Sequence, residues 1–311
     1  MKSAIIAILV GLAVSILAIW SLGRGALGHS DSETLRPVEA PRPWAAIEAQ
    51  TQSQLSAAES IGAPERQEQI LFGDLHAHTT ISFDAFMLNL PLMGGSGAAP
   101  PADACDFARH CAALDFWSIN DHASNITPAD WRNTIEAIRQ CNARSGDPDN
   151  PDLVSFLGWE WTQAGGTPDT HYGHKNIVLR DFDESKVPTR PIAATAGGVA
   201  ANPPPTLMRG LLALTDPRFR DLAARWTALS EIEICADRPV RALPEECREI
   251  AQTPADLFEK LDDWGFESIV IPHGTAWGIY TPPRSTWDKQ LEANMHDPKR
   301  QTLIEIYSGH G

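Results

Sequence analysis

Residues able to bind a metal ion recur at the ends of short apolar runs along this chain, and that recurrence limits the folds open to it. Residues 69–72 lead into Gly73-Asp74-Leu75-His76-Ala77-His78-Thr79, and residues 116–119 lead into Asn120-Asp121-His122. Residues 153–157 lead into Trp159-Glu160-Trp161, and the run 175–179 follows His171 and His174. Residues 268–271 end at Pro272-His273-Gly274, and residues 303–307 end at Ser308-Gly309-His310-Gly311. Helical stretches separate several of these runs. One, residues 101–114, carries an apolar stripe of Ala104, Phe107, Ala108, Cys111 and Ala112. Thr127-Pro128 and Thr253-Pro254 each place a capping residue before a first-turn proline, opening helices that end near Asn142 and at Gly265. Such strand–helix alternation predicts an α/β fold built on a parallel sheet. In a barrel of parallel strands, active sites gather at the carboxyl ends.

On a strand, His76 and His78 share a face, so both can meet one ion. Imidazole suits zinc, iron, nickel or copper and also occurs on manganese. A His-x-His pair alone is commonly accidental, and a lone buried histidine is usually a core residue. Here the expected ligands are His76, His78, Asp84, His122, Glu160, His174 and His273, with His171 and Asp121 in reserve. That set exceeds the four ligands of a structural zinc site. It points to two or three metals sharing a bridging carboxylate, with Glu160 the natural bridge. Closely spaced metals can activate water and stabilise an in-line displacement at phosphorus. Glu160, Asp121 and His171 are therefore the catalytic candidates, the last two as proton shuttles. Asp121 also reads as a hydrogen-bond acceptor that orients His122 or a neighbour, as Asp74 does beneath His76. His171 reads equally as a rim residue. His110 and His296 read as surface residues, and His29 lies in a polar segment. Trp159, Trp161 and Trp277 read as core, or else as an aromatic wall. Lys175 could meet an anionic group, although strand alternation can turn it away.

The N-terminus is a separate object. Lys2 precedes a nearly unbroken apolar run over residues 4–22, 19 residues long, and Arg24 follows. Residues 1–28 thus read as a cleaved export signal or an uncleaved membrane anchor. Either places the body outside the cytoplasm, in the periplasm or the extracellular space. Residues 29–67 read as a polar tether with one short helix near residues 44–60. Residues 68–311 form the main domain, interrupted near 181–250 by a Pro- and Arg-rich insertion over the barrel mouth or its side. The net charge of −15 argues against nucleic acid as a partner. It leaves open a small anionic substrate, because metal ions reverse the local sign. None of the five cysteines has Cys-x-x-Cys spacing. Cys235 and Cys247 form the best candidate disulfide, and Cys111 reads as helix core.

Taken together, Asp74-Leu75-His76-Ala77-His78-Thr79, Ile119-Asn120-Asp121-His122, Glu160, His174 and Pro272-His273-Gly274 resemble the PHP (polymerase and histidinol phosphatase) superfamily. Leu114-Asp115-Phe116-Trp117, Gly158-Trp159-Glu160-Trp161 and Glu305-Ile306-Tyr307-Ser308 further resemble an exported bacterial branch labelled as a domain of unknown function. The resemblance spans about residue 68 to the end. It implies a distorted (β/α)7 TIM-like barrel with a di- or trinuclear site of zinc, manganese or iron, hydrolysing phosphate esters. It matches His76, His78, His122, Glu160, His174 and His273 to metal ligands. Asp84 lies where some members place a further ligand, although Phe83 departs from the usual Ser-Asp-Gly. The superfamily closes its site with a late Asp-x-His pair that is not found here. The chain is accordingly expected to be truncated at its carboxyl end, with His310 a weak substitute. Two other readings stand beside the phosphoesterase. One is an amidohydrolase-like enzyme cleaving C–N or C–O bonds, often with a modified lysine bridge. The other is a non-catalytic metal-binding or inactive truncated module.

Overall fold

A computed structural model describes residues 2–28, 40–62, 70–88, 99–196 and 202–306. Helix α1 (Lys2–Gly23) is apolar along its length, and α2 (Trp44–Ser60) occupies the polar segment where a short helix is expected. The main domain begins with strand β1 (Gly73–Ala77) and helix α3 (Phe83–Leu88). Helix α4 (Pro101–Asp106), β2 (Phe116–Ile119) and α5 (Pro128–Ala143) follow. A two-residue hairpin of β3 (Gly146–Asp147) and β4 (Asn150–Pro151) leads to β5 (Val154–Phe156), β6 (Gly158–Gln163) and β7 (Gly173–Leu179). The insertion holds β8 (Ile192–Ala193), α6 (Thr206–Thr215), α7 (Arg218–Glu231) and β9 (Glu249–Ile250). Helix α8 (Pro254–Trp264), β10 (Ser268–His273) and α9 (Asp288–Leu291) complete the order.

The capping residues act as their sequence context predicts. Thr127 and Thr253 each accept from the backbone N–H three residues on, and Asp130 and Asp256 return the bond. Gly265 ends α8 at a φ of 69°, a left-handed conformation that costs glycine least.

Two three-stranded sheets, β1-β2-β5 and β10-β7-β6, form the centre. They are joined through one strand. Phe116 pairs with Val154 and Ser118 with Phe156, and a parallel bridge pairs His122 with Glu160 in the same register. Thus β5 and β6 run as one bent strand beside β2 and its extension. Among the described residues the sheet does not close into a barrel. The expected parallel sheet needs correction at β7, which runs antiparallel to both β6 and β10. Its link to β6 is residues 164–172, too short for a helical crossover, so a hairpin-like return results. Because β10 reverses again, β1, β2, β6 and β10 point one way and β7 the other.

The core packs Trp131, Trp159 and Trp161 with Ile119, Ile138, Leu153 and Ile177. Trp159 and Trp161 are fully buried, and their indole N–H groups donate to Ile192 O and Ala251 O, so both are core and neither forms a wall. Trp277 is exposed. The predicted stripe on residues 101–114 is out of phase. A π-type turn over Phe107–Cys111 adds a residue to the turn, which buries Cys105 and Ala108 and leaves Phe107 and Cys111 in solvent. Cys111 is therefore a free exposed thiol rather than core, and Cys105 pairs with Cys141. The expected Cys235–Cys247 disulfide is present.

The insertion covers a side of the domain. Leu222, Trp226 and Leu229 of α7 pack on Phe83 and Phe86 of α3. Arg225 donates to Ile81 O and Asn125 O and pairs with Asp130, which braces the loop between β1 and α3. The run at 303–306 forms no ladder strand, although Glu305 N–H donates to Pro272 O beside β10. Tyr307 and His310 lie outside the described residues, as does His29.

Candidate metal centre

The strand directions bring the expected ligands to one edge. His76 and His78 stand at the carboxyl end of β1, His122 beyond that of β2, and His273 at that of β10. His174 stands at the amino end of the reversed β7, where it pairs across with Thr162 and His273. Glu160 lies inside β6 rather than after a strand, fully buried at the middle of the group.

Its two carboxylate oxygens face different partners. Oε2 lies 3.3 Å from His76 Nε2, 3.1 Å from His78 Nε2 and 3.3 Å from His122 Nδ1. Oε1 lies 2.7 Å from His174 Nδ1 and 3.7 Å from His273 Nε2, and it accepts from Thr162 Oγ1 at 3.0 Å. His76 Nε2 and His78 Nε2 are themselves 3.0 Å apart. These two nitrogens and Glu160 Oε2 form a nearly equilateral triangle. A tetrahedral ion holding its ligands at about 2.0–2.1 Å keeps them about 3.3 Å from one another. The triangle therefore has the dimensions of one face of such a coordination shell.

The orphaned atoms agree with this fit. Both ring nitrogens of the buried His273 have no hydrogen-bond partner, the carboxylates of Glu160 and Glu305 lying 3.7 and 3.8 Å away. Leaving such groups buried and unsatisfied is costly, and a metal ion removes the cost. Among the described residues, four ligand groups converge closely enough to hold an ion: His76, His78 and Glu160; Glu160, His174 and His273; His78, Asp84 and His122; and His76, His273 and Glu305.

The surrounding hydrogen bonds set the imidazoles. Ser82 Oγ donates to Asp121 at 2.7 Å, lies 2.7 Å from His78 Nδ1 and accepts from His122 N–H at 3.0 Å. With its proton committed to Asp121, the hydroxyl accepts from His78 Nδ1–H, and His78 Nε2 is left to face Glu160. Asp121 also accepts from Thr79 N–H, Thr79 Oγ1 and Ser82 N–H. Those four donors consume its lone pairs. Of the two roles expected for Asp121, the geometry favours orientation, exerted through Ser82 on His78. Glu305 does the same for His76, whose Nδ1 lies 2.8 Å from its Oε2.

Protonation follows the carboxylates. Burial opposes a charge on His76, but Glu160 and Glu305 outweigh it and raise the imidazole to about 9. Burial opposes His122 likewise, and Glu160 with Asp84, 3.1 Å from its Nε2, raises it to about 10. Glu160 is held well below the usual carboxylate range by His122 and His174 despite its own burial. His273 is lowered by burial. In the metal-free protein a second proton therefore sits on His76 and His122, at the atoms a metal would take.

All seven expected ligands meet in this cluster, with Asp84 at its more open side. His171 does not join it. Its Nε2–H donates to Gly274 O at 2.9 Å, behind the ring of ligands. Lys175 is turned to the opposite face, where it donates to Gln290 Oε1 and Tyr172 O, and burial lowers it to about 7. Asp74 accepts from His76 N–H at 2.8 Å. Four contributors are absent from the expected set. Glu305 is the lone acid in its apolar run, which was the available signal. Ser82 and Thr162 carry no sequence signal of their own. Tyr280 stacks on His174 with ring centroids 6.3 Å apart and forms part of the wall. No protein-family model, curated protein or solved structure matches the chain.

Proposed function

We propose that this chain is a metal-dependent hydrolase, a phosphoesterase of the kind the PHP resemblance implies, with its sheet forming part of a distorted (β/α)7 barrel. The observation that carries the reading is Glu160, whose two oxygens each face a separate set of imidazoles. Such a carboxylate suits a bridge between two ions. His76 and His78 would hold one with Glu160, and His174 and His273 the other. Asp84 and His122 would supply donors for a third. Imidazole with carboxylate suits zinc, iron or manganese. When bound, such ions lower the pKa of water and screen charge developing on a phosphoryl group.

The chain's own residues prepare that chemistry. Asp121 through Ser82, and Glu305 directly, fix which nitrogen of His78 and His76 faces the centre. Thr162 donates to Glu160 and receives His122 Nδ1 at 2.6 Å, which holds the bridge and one ligand in register. The position of Lys175 weakens the amidohydrolase alternative, because this buried lysine cannot bridge ions from the far face of β7. The apolar α1 supports export, with the centre on the outer side of a membrane.

Metal analysis of the purified chain, with a panel of phosphomonoesters, phosphodiesters and amides, tests the proposal. Turnover of a phosphate ester that tracks metal content is expected. Stoichiometric metal with no turnover would leave a binding module, and turnover of amides alone would favour the second enzyme class.

A further inference from the structure

Helix α6 is inside out. Its sequence, Thr206–Thr215, carries one charge, Arg209, and that residue is turned inward onto Thr206 and Thr227 of the α6–α7 pair. Gly210 and Ala213 share the inward face. The outward face is Leu207, Met208, Leu211 and Leu214, each about half exposed, at the i, i+1, i+4, i+7 spacing of one helical stripe. A soluble helix places such a stripe against the core. Here the core side is taken by small residues and an arginine.

The neighbour of α6 identifies what covers the stripe. Helices α1 and α6 lie antiparallel in close contact. A Cβ added to Gly23 would strike the Thr206 carbonyl, and one added to Gly210 would strike that of Ile19. Glycine at both crossings lets the two backbones approach, a packing mode common between helices in lipid. Helix α1 is long and apolar enough to cross a membrane and leaves its side chains exposed along most of its length. The outward stripe of α6 continues that apolar surface laterally. The polar boundary sits where α6 begins. Trp20 lies near the end of α1, Arg24 stacks over it at 5.4 Å, and Arg24 pairs with Glu231 at 3.3 Å. An interfacial tryptophan with a following arginine marks the headgroup level. At the far end of α6, Asp216 pairs with Arg218 at 3.1 Å and Arg220 Nε–H donates to Ala213 O at 3.2 Å, with Asp221 the next charge in α7.

We propose that α1 is retained and that α6 enters the lipid leaflet beside it, so that the insertion docks the domain onto the bilayer surface. The membrane then contacts the domain through α7, which packs on α3, the helix carrying Asp84, and not through the polar tether alone. This inference concerns the docking surface and is independent of the activity of the metal centre.

The test uses the full chain in vesicles of phosphatidylethanolamine and phosphatidylglycerol. The free Cys111 is first replaced, Cys111→Ser, and a single thiol is placed by Leu211→Cys or, as a control on the exposed face of α8, by Glu259→Cys. Each is labelled with an environment-sensitive fluorophore. The Leu211 label is expected to show blue-shifted emission, quenching by lipid-borne nitroxide and protection from aqueous iodide, with the control label showing the reverse. A Leu211 label open to iodide would overturn the proposal. So would a label shielded from both quenchers, which would mean a protein partner or a second copy covers α6. Recovery from the membrane of a mature chain lacking α1 would overturn it as well.

Discussion

Replacing Glu160 by glutamine tests the centre without any substrate. In the metal-free protein Oε2 lies 3.3 Å from both His76 Nε2 and His122 Nδ1. At an effective dielectric of about 20, one charge pair at that distance is worth about 5 kcal/mol. Against burial, His76 stays charged to about 9 and His122 to about 10, from an ordinary 6.5. Those values correspond to net preferences for the protonated forms of about 3 and about 5 kcal/mol. Removing one pair from each is therefore enough to cancel most of what exceeds the burial cost. A group raised on folding contributes stability that is complete below its unfolded value and is lost as pH rises through its folded value. The stability advantage of the wild-type chain over Glu160→Gln should thus be largest near pH 6 and decline between about 6.5 and 10. Lys175, lowered by burial to about 7, gives the opposite slope in both proteins, so the difference between them is the quantity to read. Urea denaturation of chelator-treated protein at pH 6, 8 and 10 measures it. A difference that is flat with pH, or that grows on the alkaline side, would refute the assignment of Glu160 as the charge partner.

Metal binding should run the other way, because the ion displaces the protons on His76 and His122. Calorimetry at pH 7 in buffers of different ionisation enthalpy should count about two protons released per chain from this pair, and none would contradict the protonation argued for them. Ser82→Ala removes the link between Asp121 and His78 and should weaken metal affinity by about 10- to 100-fold in chelator competition, with the fold retained. Unchanged affinity would return Ser82 to a purely local role. The Cys105–Cys141 disulfide closes a loop of 36 residues. Replacing both cysteines by alanine should cost about 4 kcal/mol in chemical denaturation on loop-closure grounds, and a cost near zero would show that the reduced chain stays ordered there.

The cluster of candidate ligands was legible because metal chemistry admits few residue types and the strand ends repeat them. The helices at Thr127 and Thr253 were legible because a cap, a first-turn proline and an acid three residues on act locally. What escaped depends on distant partners or on phase. The stripe through Phe107 and Cys111 assumed 3.6 residues per turn, and one π-type turn moved both into solvent. Ser82 looks like any loop serine until Asp121, 39 residues away, accepts its hydrogen bond. The outward stripe of α6 is readable as amphipathic, but only its packing on α1 shows that the apolar side faces away from the core.

The reversal of β7 shows why an unexpected strand direction still brings the candidate ligands together. The rule that ligands gather at carboxyl ends holds for parallel strands. The physical requirement behind it is weaker, namely that the side chains share one edge and one face of the sheet. A strand that runs backwards meets this requirement from its amino end. His174 is the second residue of β7 and pairs with His273, the last residue of β10. Since side chains alternate along a strand, His174 shares its face with Asn176, which pairs with Glu160, while Lys175 is sent to the other. A one-residue slip in the β6–β7 pairing would exchange His174 for Lys175 at the centre. The register of this antiparallel pair, more than its direction, is therefore what the metal centre depends on.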